Sequence, residues 1–418
     1  MKHTLPPSAF FQRNRDAFVA QMKPAGAAVF RAAPKARKNA DEDHKYEPDS
    51  DFFYLTGIEA PLAALILFPN SPRSKQTLFI EKPEPQIEQW TGKRMTEEEA
   101  KGQSGCEVVG FIEHFEHALG SVLAAVENVY LNYRPVPLKA PLNDDLQFVN
   151  AIRERFPHLN IVRANALIAQ QRLAKAPEEI DRLKKAIEIT GIGLAAAMKA
   201  ARPGVHEFEL QSAIEKAYLD NRSDDVGFLT IVASGVNACT LHYETNECEM
   251  KDGDLALIDT GADYCHYTAD ITRTFPVSGT FTARQKEVYQ KVLDAQKKTI
   301  ELIKPGITLL ELNNQTREML ITACKNIGLK KEKYEEYYAY VKHGVSHHLG
   351  LDAHDVSDLK EAPLAPGQVI TVEPGLYIAE ESIGIRIEDD VLVTESGCEV
   401  LSKDIPKEIA EIEALMRR

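Results

Sequence analysis

The chain has 418 residues, 44% of them hydrophobic and 27% charged, with a net charge of −14 from 49 basic and 63 acidic side chains. That length exceeds one ordinary core and suits two domains. An acidic balance with no basic cluster argues against a nucleic-acid or anionic-membrane partner. The longest strongly apolar run, Leu62 to Phe68, is far too short to span a bilayer. The N-terminal stretch MKHTLPPSAFFQRNRDAF lacks an apolar h-region, so no signal peptide is expected. The six cysteines, at 106, 239, 248, 265, 324 and 398, form no CxxC pair and read as free thiols of a reducing, cytoplasmic compartment.

Ser8 is expected to cap a helix carrying Phe11, Phe18 and Met22 on one face. Strand-like runs follow at Ala27–Phe30, Leu65–Phe68, Thr77–Ile80 and Val129–Leu131, with Asn70-Ser71-Pro72 as a turn between two of them. Helix and strand patterns alternate up to about residue 165, which predicts a small α/β domain over residues 1–165. Ala176-Pro177-Glu178-Glu179 then opens a long helix towards Ala201, with Pro at its start and acids in its first turn. A second domain, residues 166–418, follows.

That second domain reads as a duplication. Arg202-Pro203-Gly204-Val205 is echoed by Lys304-Pro305-Gly306-Ile307, and Glu209-Leu210 by Glu311-Leu312. Each echo begins a helix, and each helix leads to a β-type segment bearing two acids. The expectation is a βαβ-type half repeated twice, with the two acid hairpins meeting at a pseudo-twofold. Chance agreement among short patterns is the competing reading.

The acids are Asp259 and Asp270 in LIDTGADYCHYTADITRTFPV, and Glu373 and Glu388 in ITVEPGLYIAEESIGIRIEDDVLV. Each first acid lies six residues after a glycine, Gly253 or Gly367, and two before another, Gly261 or Gly375. Both separations within the pairs are odd. Opposite residues of a hairpin with an even turn differ by an odd number and share one face. Each hairpin is thus expected to carry two carboxylates side by side. Burying such pairs uncompensated costs several kcal/mol per charge, and two facing hairpins suit two divalent cations.

Between the hairpins lies His343-Gly344-Val345-Ser346-His347-His348-Leu349-Gly350-Leu351-Asp352-Ala353-His354-Asp355, which holds four of the twelve histidines. His242 precedes the first hairpin. A lone histidine is usually structural, whereas four in one glycine-punctuated segment between paired acids point to a site.

These residues carry a resemblance. Asp259, Asp270, His347, Glu373 and Glu388 resemble the five-ligand centre of the pita-bread metallopeptidases. HGVSHHLGLDAHD, VEPGLY and GIRIEDD are similar to the proline-specific branch, the Xaa-Pro aminopeptidases and Xaa-Pro dipeptidases. DSDFFYLTGIEAPLAALIL resembles that family's N-terminal domain. Ala353 departs from the Val or Ile usual there, a change of apolar volume only. The resemblance implies an α+β fold with a C-terminal pita-bread domain of duplicated halves behind a smaller α/β domain. It implies Asp270 and Glu388 as bridges between two metals, Asp259 completing one site, and His347 with Glu373 completing the other. An oxygen-rich shell with one imidazole favours Mn²⁺. Glu373 would also accept a proton from the water nucleophile.

The resemblance further gives His354 the substrate near the scissile carbonyl, and gives His242 and His343 the proline pocket, with His343 also counted among the catalytic groups. Tyr377 and Arg386 would support the site and the substrate. A strand salt bridge from Arg386 to Asp389 or Glu388 is the plainer reading for that residue. Cys265 is read as a turn or packing thiol. Trp90, the only tryptophan, reads by itself as a partly buried surface aromatic; the resemblance implies that it reaches a neighbouring subunit's active site in a homodimer or homotetramer.

The expected substrates are peptides with proline second. An Xaa-Pro dipeptidase and a metal-free binding module are the alternatives, and a methionine aminopeptidase fits the motifs less well. A dipeptidase needs a cation for the terminal carboxylate, most naturally an Arg. The stretch from Asp355 to Val372 contains no Arg and one Lys, Lys360.

Overall fold

The apolar runs of the first domain assemble into one six-stranded sheet in the computed structural model, which describes residues 4–356 and 360–417. Its order is Val108–Phe111, Gln76–Ile80, Ala64–Leu67, Gly26–Arg31, Asn128–Leu131 and Asn160–Arg163. Gly26–Arg31 pairs antiparallel with Ala64–Leu67 and parallel with Asn128–Leu131. Successive side chains of this central strand serve opposite faces. Phe30 packs edge-on against Phe18 with centroids 5.2 Å apart, while Val29 joins Ile66, Phe79 and Leu119 on the other face.

The first helix spans Ser8–Ala20 and buries Phe10, Phe11 and Phe18. Its expected cap is corrected by one residue. Pro7 is the N-cap, with no capping hydrogen bond, and Ser8 is already helical. Proline lacks an N–H and favours the extended backbone seen here, so it takes the last non-helical position. Met22 lies beyond the helix end, and the buried face instead includes Arg15. Its guanidinium donates to Gln76 Oε1 and Leu55 O, both at 2.7 Å.

The chain divides into two compact units after Gln171, within the helix Asn165–Leu173, where the sequence placed the division after residue 165. The second unit opens with the long helix Pro177–Ala200, and Glu179 Oε2 accepts the Ala176 N–H at 2.8 Å. The echoed segments start the helices Glu207–Asp220 and Leu309–Asn326. Glu209 and Glu311 reach back to the N–H groups of His206 and Thr308 at 3.0 and 2.9 Å. Bridges His206↔Glu249 and Thr308↔Pro363 tie both helix starts to the segments that lead into the hairpins.

The strands of the halves are antiparallel, which corrects the βαβ expectation. Ile231–Ser234, Leu255–Thr260 and Ile271–Pro276 form one ladder. Val369–Val372, Asp389–Val393 and Cys398–Val400 form its counterpart. The 345–349 segment flanks that second ladder through Glu373 N→Val345 O, Thr371 N→His347 O and Leu349 N→Val369 O, at 2.9, 2.9 and 3.0 Å. Hairpins join antiparallel strands without a crossover helix, so the helices pack outside the sheets. Ile187, Leu194, Ile214, Ile258, Phe275, Val292, Leu320 and Ile385 are members of the shared core.

Candidate metal centre and substrate pocket

Each hairpin keeps one register along its length. In the first, Asp259 stands opposite Thr272 and Thr260 opposite Ile271; the Ala269 N–H then donates to Ala262 O. Asp270 therefore falls opposite Gly261 and lies diagonal to Asp259 on the same face, which corrects the side-by-side expectation for this pair. A Cβ on Gly261 would come within 1.7 Å of the Ala269 carbonyl oxygen, so this crossing needs glycine. In the second hairpin, Val372 pairs with Asp389 and Gly375 with Arg386, and the Ile387 N–H donates to Pro374 O at 3.3 Å. That register sets Glu373 opposite Glu388, as the spacing required.

The two faces meet over a pocket of about 390 Å³. Asp259, Asp270, His347, Glu373 and Glu388 all line it, with His242, His343, His354 and Arg386. One ligand atom each from Asp270, His347 and Glu388 lies within 4.8 Å of the others. His347 Nε2 is 3.4 Å from Asp270 Oδ2 and 3.8 Å from Glu373 Oε1. Its Nδ1 is 3.0 Å from the His348 carbonyl oxygen and donates to it, which leaves Nε2 facing the acids.

The electrostatics describe a cluster lacking positive charge. Burial pushes Glu373 up to about 7, opposed by His347 and Arg386 and aided by Asp270. Burial and then the charge of Asp259 raise Asp270 to about 6 despite its contact with His347. Burial and the charges of Asp270, Asp259 and Glu373 raise Glu388 well above the usual carboxylate range. Burial disfavours a charged His347, but its hydrogen bond with Asp270 and the charges of Asp270 and Glu373 win and raise it to about 9. Asp259 Oδ1 is buried without a hydrogen-bond partner. An orphaned carboxylate oxygen, three carboxyls shifted upward and one imidazole nitrogen among them are the donor set a pair of hard divalent ions satisfies.

Arg386 is 4% exposed and binds neither Asp389 nor Glu388 through its side chain. Its Nη2 pairs with Asp259 Oδ2 at 2.6 Å, its Nε donates to Thr272 Oγ1 at 2.9 Å, and its Nη1 donates to the Tyr377 hydroxyl at 3.1 Å. That hydroxyl is 2.6 Å from His343 Nε2, and His343 Nδ1 is 2.6 Å from Gly344 O. The chain of donors makes His343 a neutral ring with its proton on Nδ1. Burial, together with the charge of Arg386, lowers its pKa to about 4, so its 3.4 Å approach to Glu373 is no salt bridge. Both ring nitrogens of His343 are thereby engaged by the protein. Tyr377 is 1% exposed and holds His343 and Arg386 from behind.

His354 is exposed, its ring edge-on to His347 with centroids 4.4 Å apart. Burial and the neighbouring His347 and His242 lower its pKa. His242 is exposed at the rim. Trp90 belongs to the first unit and is 89% exposed, which corrects the expectation of a partly buried ring. Cys265 is a fully buried packing thiol.

Sequence reasoning passed over three groups around this pocket. Buried Asp355 accepts from Arg172 at 2.6 Å and Lys175 at 2.8 Å. His348 lines the pocket and is lowered to about 4, first by burial and then by Lys175. Asp390 Oδ2 accepts the Asp270 N–H at 3.2 Å, and burial and Asp270 raise its pKa well above the usual range. The run Glu388-Asp389-Asp390 and the His354-Asp355 pair were the available signals.

Duplicated antiparallel halves that converge on an acid-and-imidazole pocket define a metallopeptidase of dinuclear type. The chain belongs to metallopeptidase family M24, which matches residues 181–395, and residues 11–130 match the aminopeptidase P N-terminal domain. The Xaa-Pro aminopeptidase of Escherichia coli is 37% identical, covering 97% of each chain. Human Xaa-Pro aminopeptidase 3 is 33% identical over 90% of this chain and 78% of its own. The structure of Pseudomonas aeruginosa aminopeptidase PepP superposes with a TM-score of 0.92 at 36% identity, covering 99% of this chain and 98% of that one. Escherichia coli aminopeptidase P with the inhibitor Pro-Leu gives 0.90 at 36% identity, covering 99% of each. Membership of the family implies a dinuclear divalent metal site, which the donor set fits.

Proposed function

We propose that this chain removes the N-terminal residue from peptides that carry proline in second position. The observation that carries the reading is the convergence of Asp259, Asp270, His347, Glu373 and Glu388 on one pocket, in a chain similar over its length to Xaa-Pro aminopeptidases. These five would hold two divalent ions, with Asp270 and Glu388 shared between them, and the single imidazole among oxygens favours Mn²⁺. When bound, the ions supply Lewis acidity and a water of lowered pKa. Glu373 would take up and hold a proton at its carboxylate. His354 offers a ring N–H to the carbonyl oxygen of the scissile bond. His242 and His343 wall the space for the proline ring, which lacks an N–H and is recognised by shape. Arg386 and Tyr377 fix Asp259 and His343 from behind.

The similarity to aminopeptidases, and a mouth equipped with Lys360 in place of an Arg, favour longer peptides over dipeptides. Residues 357–359 of that stretch lie outside the described residues. The five assembled donors speak against a metal-free binding module. The first unit we assign to a homodimer or homotetramer, supported by its exposed Trp90, which it offers to a neighbouring subunit. No helix of the described residues is long and apolar enough to cross a membrane, and the free cysteines support a cytoplasmic location. Elemental analysis tests the reading: two divalent ions per chain, with metal and activity lost in Asp270→Ala. Full activity of the metal-free protein or of Asp270→Ala would contradict it.

A further inference from the structure

Glu207 is a fully buried carboxylate at the first turn of the helix Glu207–Asp220. Five donors converge on it. Oε1 accepts from Ser234 N at 2.7 Å, Ser234 Oγ at 2.7 Å and Asn237 Nδ2 at 3.1 Å. Oε2 accepts from the Tyr243 hydroxyl and the Cys248 N–H, both at 2.9 Å. Among the described residues no Lys or Arg pairs with it, so neutral donors and the helix terminus carry its charge.

Every one of these donors belongs to the 234–248 segment, and His242 sits within that segment, at the pocket rim. Asn246 reinforces the far end. Its Oδ1 accepts the Val232 N–H at 2.9 Å, and its Nδ2 donates to Thr230 O at 2.8 Å and Gln211 Oε1 at 2.9 Å. Near the start, Lys342 Nζ donates to Cys239 O at 2.6 Å. The loop is stitched on both sides of His242, while Thr240, His242, Glu244 and Thr245 are themselves exposed.

The repeat supplies an independent comparison. Glu209 and Glu311 perform the same capping in the two halves, which makes Leu309 the counterpart of Glu207. Leu309 is 3% exposed and packs in an apolar cluster with Leu312, Leu364 and Ile370. A leucine thus meets the packing needs of this helix start. The carboxylate occurs in the half whose loop carries His242 to the pocket.

We infer that Glu207 is a positioning residue that holds the 234–248 loop so that His242 forms the substrate wall. This rests on the peptidase reading above. Glu207→Gln keeps the shape, but a carboxamide cannot accept hydrogen bonds at both ends. One side of the loop is released, and Tyr243, next to His242, is the nearer anchor. The loss should appear in KM, since the metal ligands do not touch Glu207.

The test is a double-mutant cycle between Glu207→Gln and His242→Ala on the metal-loaded full chain, with an Xaa-Pro-Yaa peptide. Glu207→Gln should raise KM by about tenfold, keep kcat within about twofold and retain the full metal content. The double variant should be no worse than His242→Ala alone, because Glu207 acts through His242. Multiplicative effects, lost metal or an unchanged KM in Glu207→Gln would overturn the inference and leave the peptidase assignment standing. An unchanged KM in His242→Ala would overturn both the pocket role of His242 and the inference. Should Glu207→Gln fail to fold, Tyr243→Phe removes one donor alone and must show the same non-additivity with His242→Ala.

Discussion

Thr272 and Glu388 occupy equivalent places in the two hairpins, and they touch: Thr272 Oγ1 donates to Glu388 Oε2 at 2.7 Å. Thr272 stands opposite Asp259, and the register sets Glu388 opposite Glu373. Arg386 Nε donates to the same hydroxyl at 2.9 Å, which commits the hydroxyl proton to Glu388. The Glu388 N–H donates to Thr272 O at 3.1 Å, so backbone and side chain join the halves at one point. A threonine there orients a proposed bridging ligand.

Thr272→Val should therefore weaken metal binding by roughly 10–100-fold, the usual effect of losing a partner that orients a ligand. The β-branched shape is kept, so the fold should survive. Metal titration followed by calorimetry checks this. Unchanged affinity would remove Thr272 from the account.

His354→Ala should keep both metals and lose about 10²-fold or more in kcat, since the ring is assigned to the substrate carbonyl. Metal analysis beside steady-state kinetics gives the answer. Loss of metal here, with metal retained in His347→Ala, would show the two histidine assignments to be reversed.

Much of this site could be read from the sequence because a hairpin's register is arithmetic. Odd separations put both acids of a pair on one face of any hairpin with an even turn. Whether they stand opposite or diagonal depends on the turn. The first hairpin is centred one residue too late to oppose Asp259 and Asp270, so Asp259 faces Thr272 instead, and no spacing rule foretold that. The βαβ expectation failed because helix–strand alternation does not specify strand direction. The pairing of Asp355 with Arg172 and Lys175 was invisible because it spans up to 183 residues and exists only after folding. Nothing in the sequence marks Glu207 apart from its neighbour Glu209, and only the five donors that converge on it in the fold do so.

Stability should vary with pH in two opposed limbs. Burial pushes the Glu179 carboxyl up to about 7, against the Ala176 N–H, Lys175 and the Tyr267 hydroxyl. An unfolded Glu titrates near about 4.3. Between those values the folded state holds a proton that the unfolded state lacks, so stability rises as pH falls, by roughly 4 kcal/mol in all. Asp355 and Asp389 act oppositely. Burial would raise both, but Lys175 and Arg172, and Arg273 and Lys407, hold them below the usual carboxylate range. Their contribution is present above the unfolded value near about 3.9 and is lost as pH falls through the folded values. Denaturant titrations of the metal-loaded protein should show a crest at about pH 4. Glu179→Gln should flatten the limb above the crest and spare the acid limb. An unaltered upper limb would assign it to another group.

The central claim is an aminopeptidase that reads proline in second place and leaves the mouth of its site open to a continuing chain. The most direct measurement is kcat/KM of the metal-loaded protein for Xaa-Pro-Yaa, Xaa-Pro and Xaa-Ala-Yaa with one first residue throughout. The account predicts release of that residue from Xaa-Pro-Yaa, a lower value for Xaa-Pro, and little turnover of Xaa-Ala-Yaa. A clear preference for the dipeptide, or equal cleavage before alanine, would contradict it.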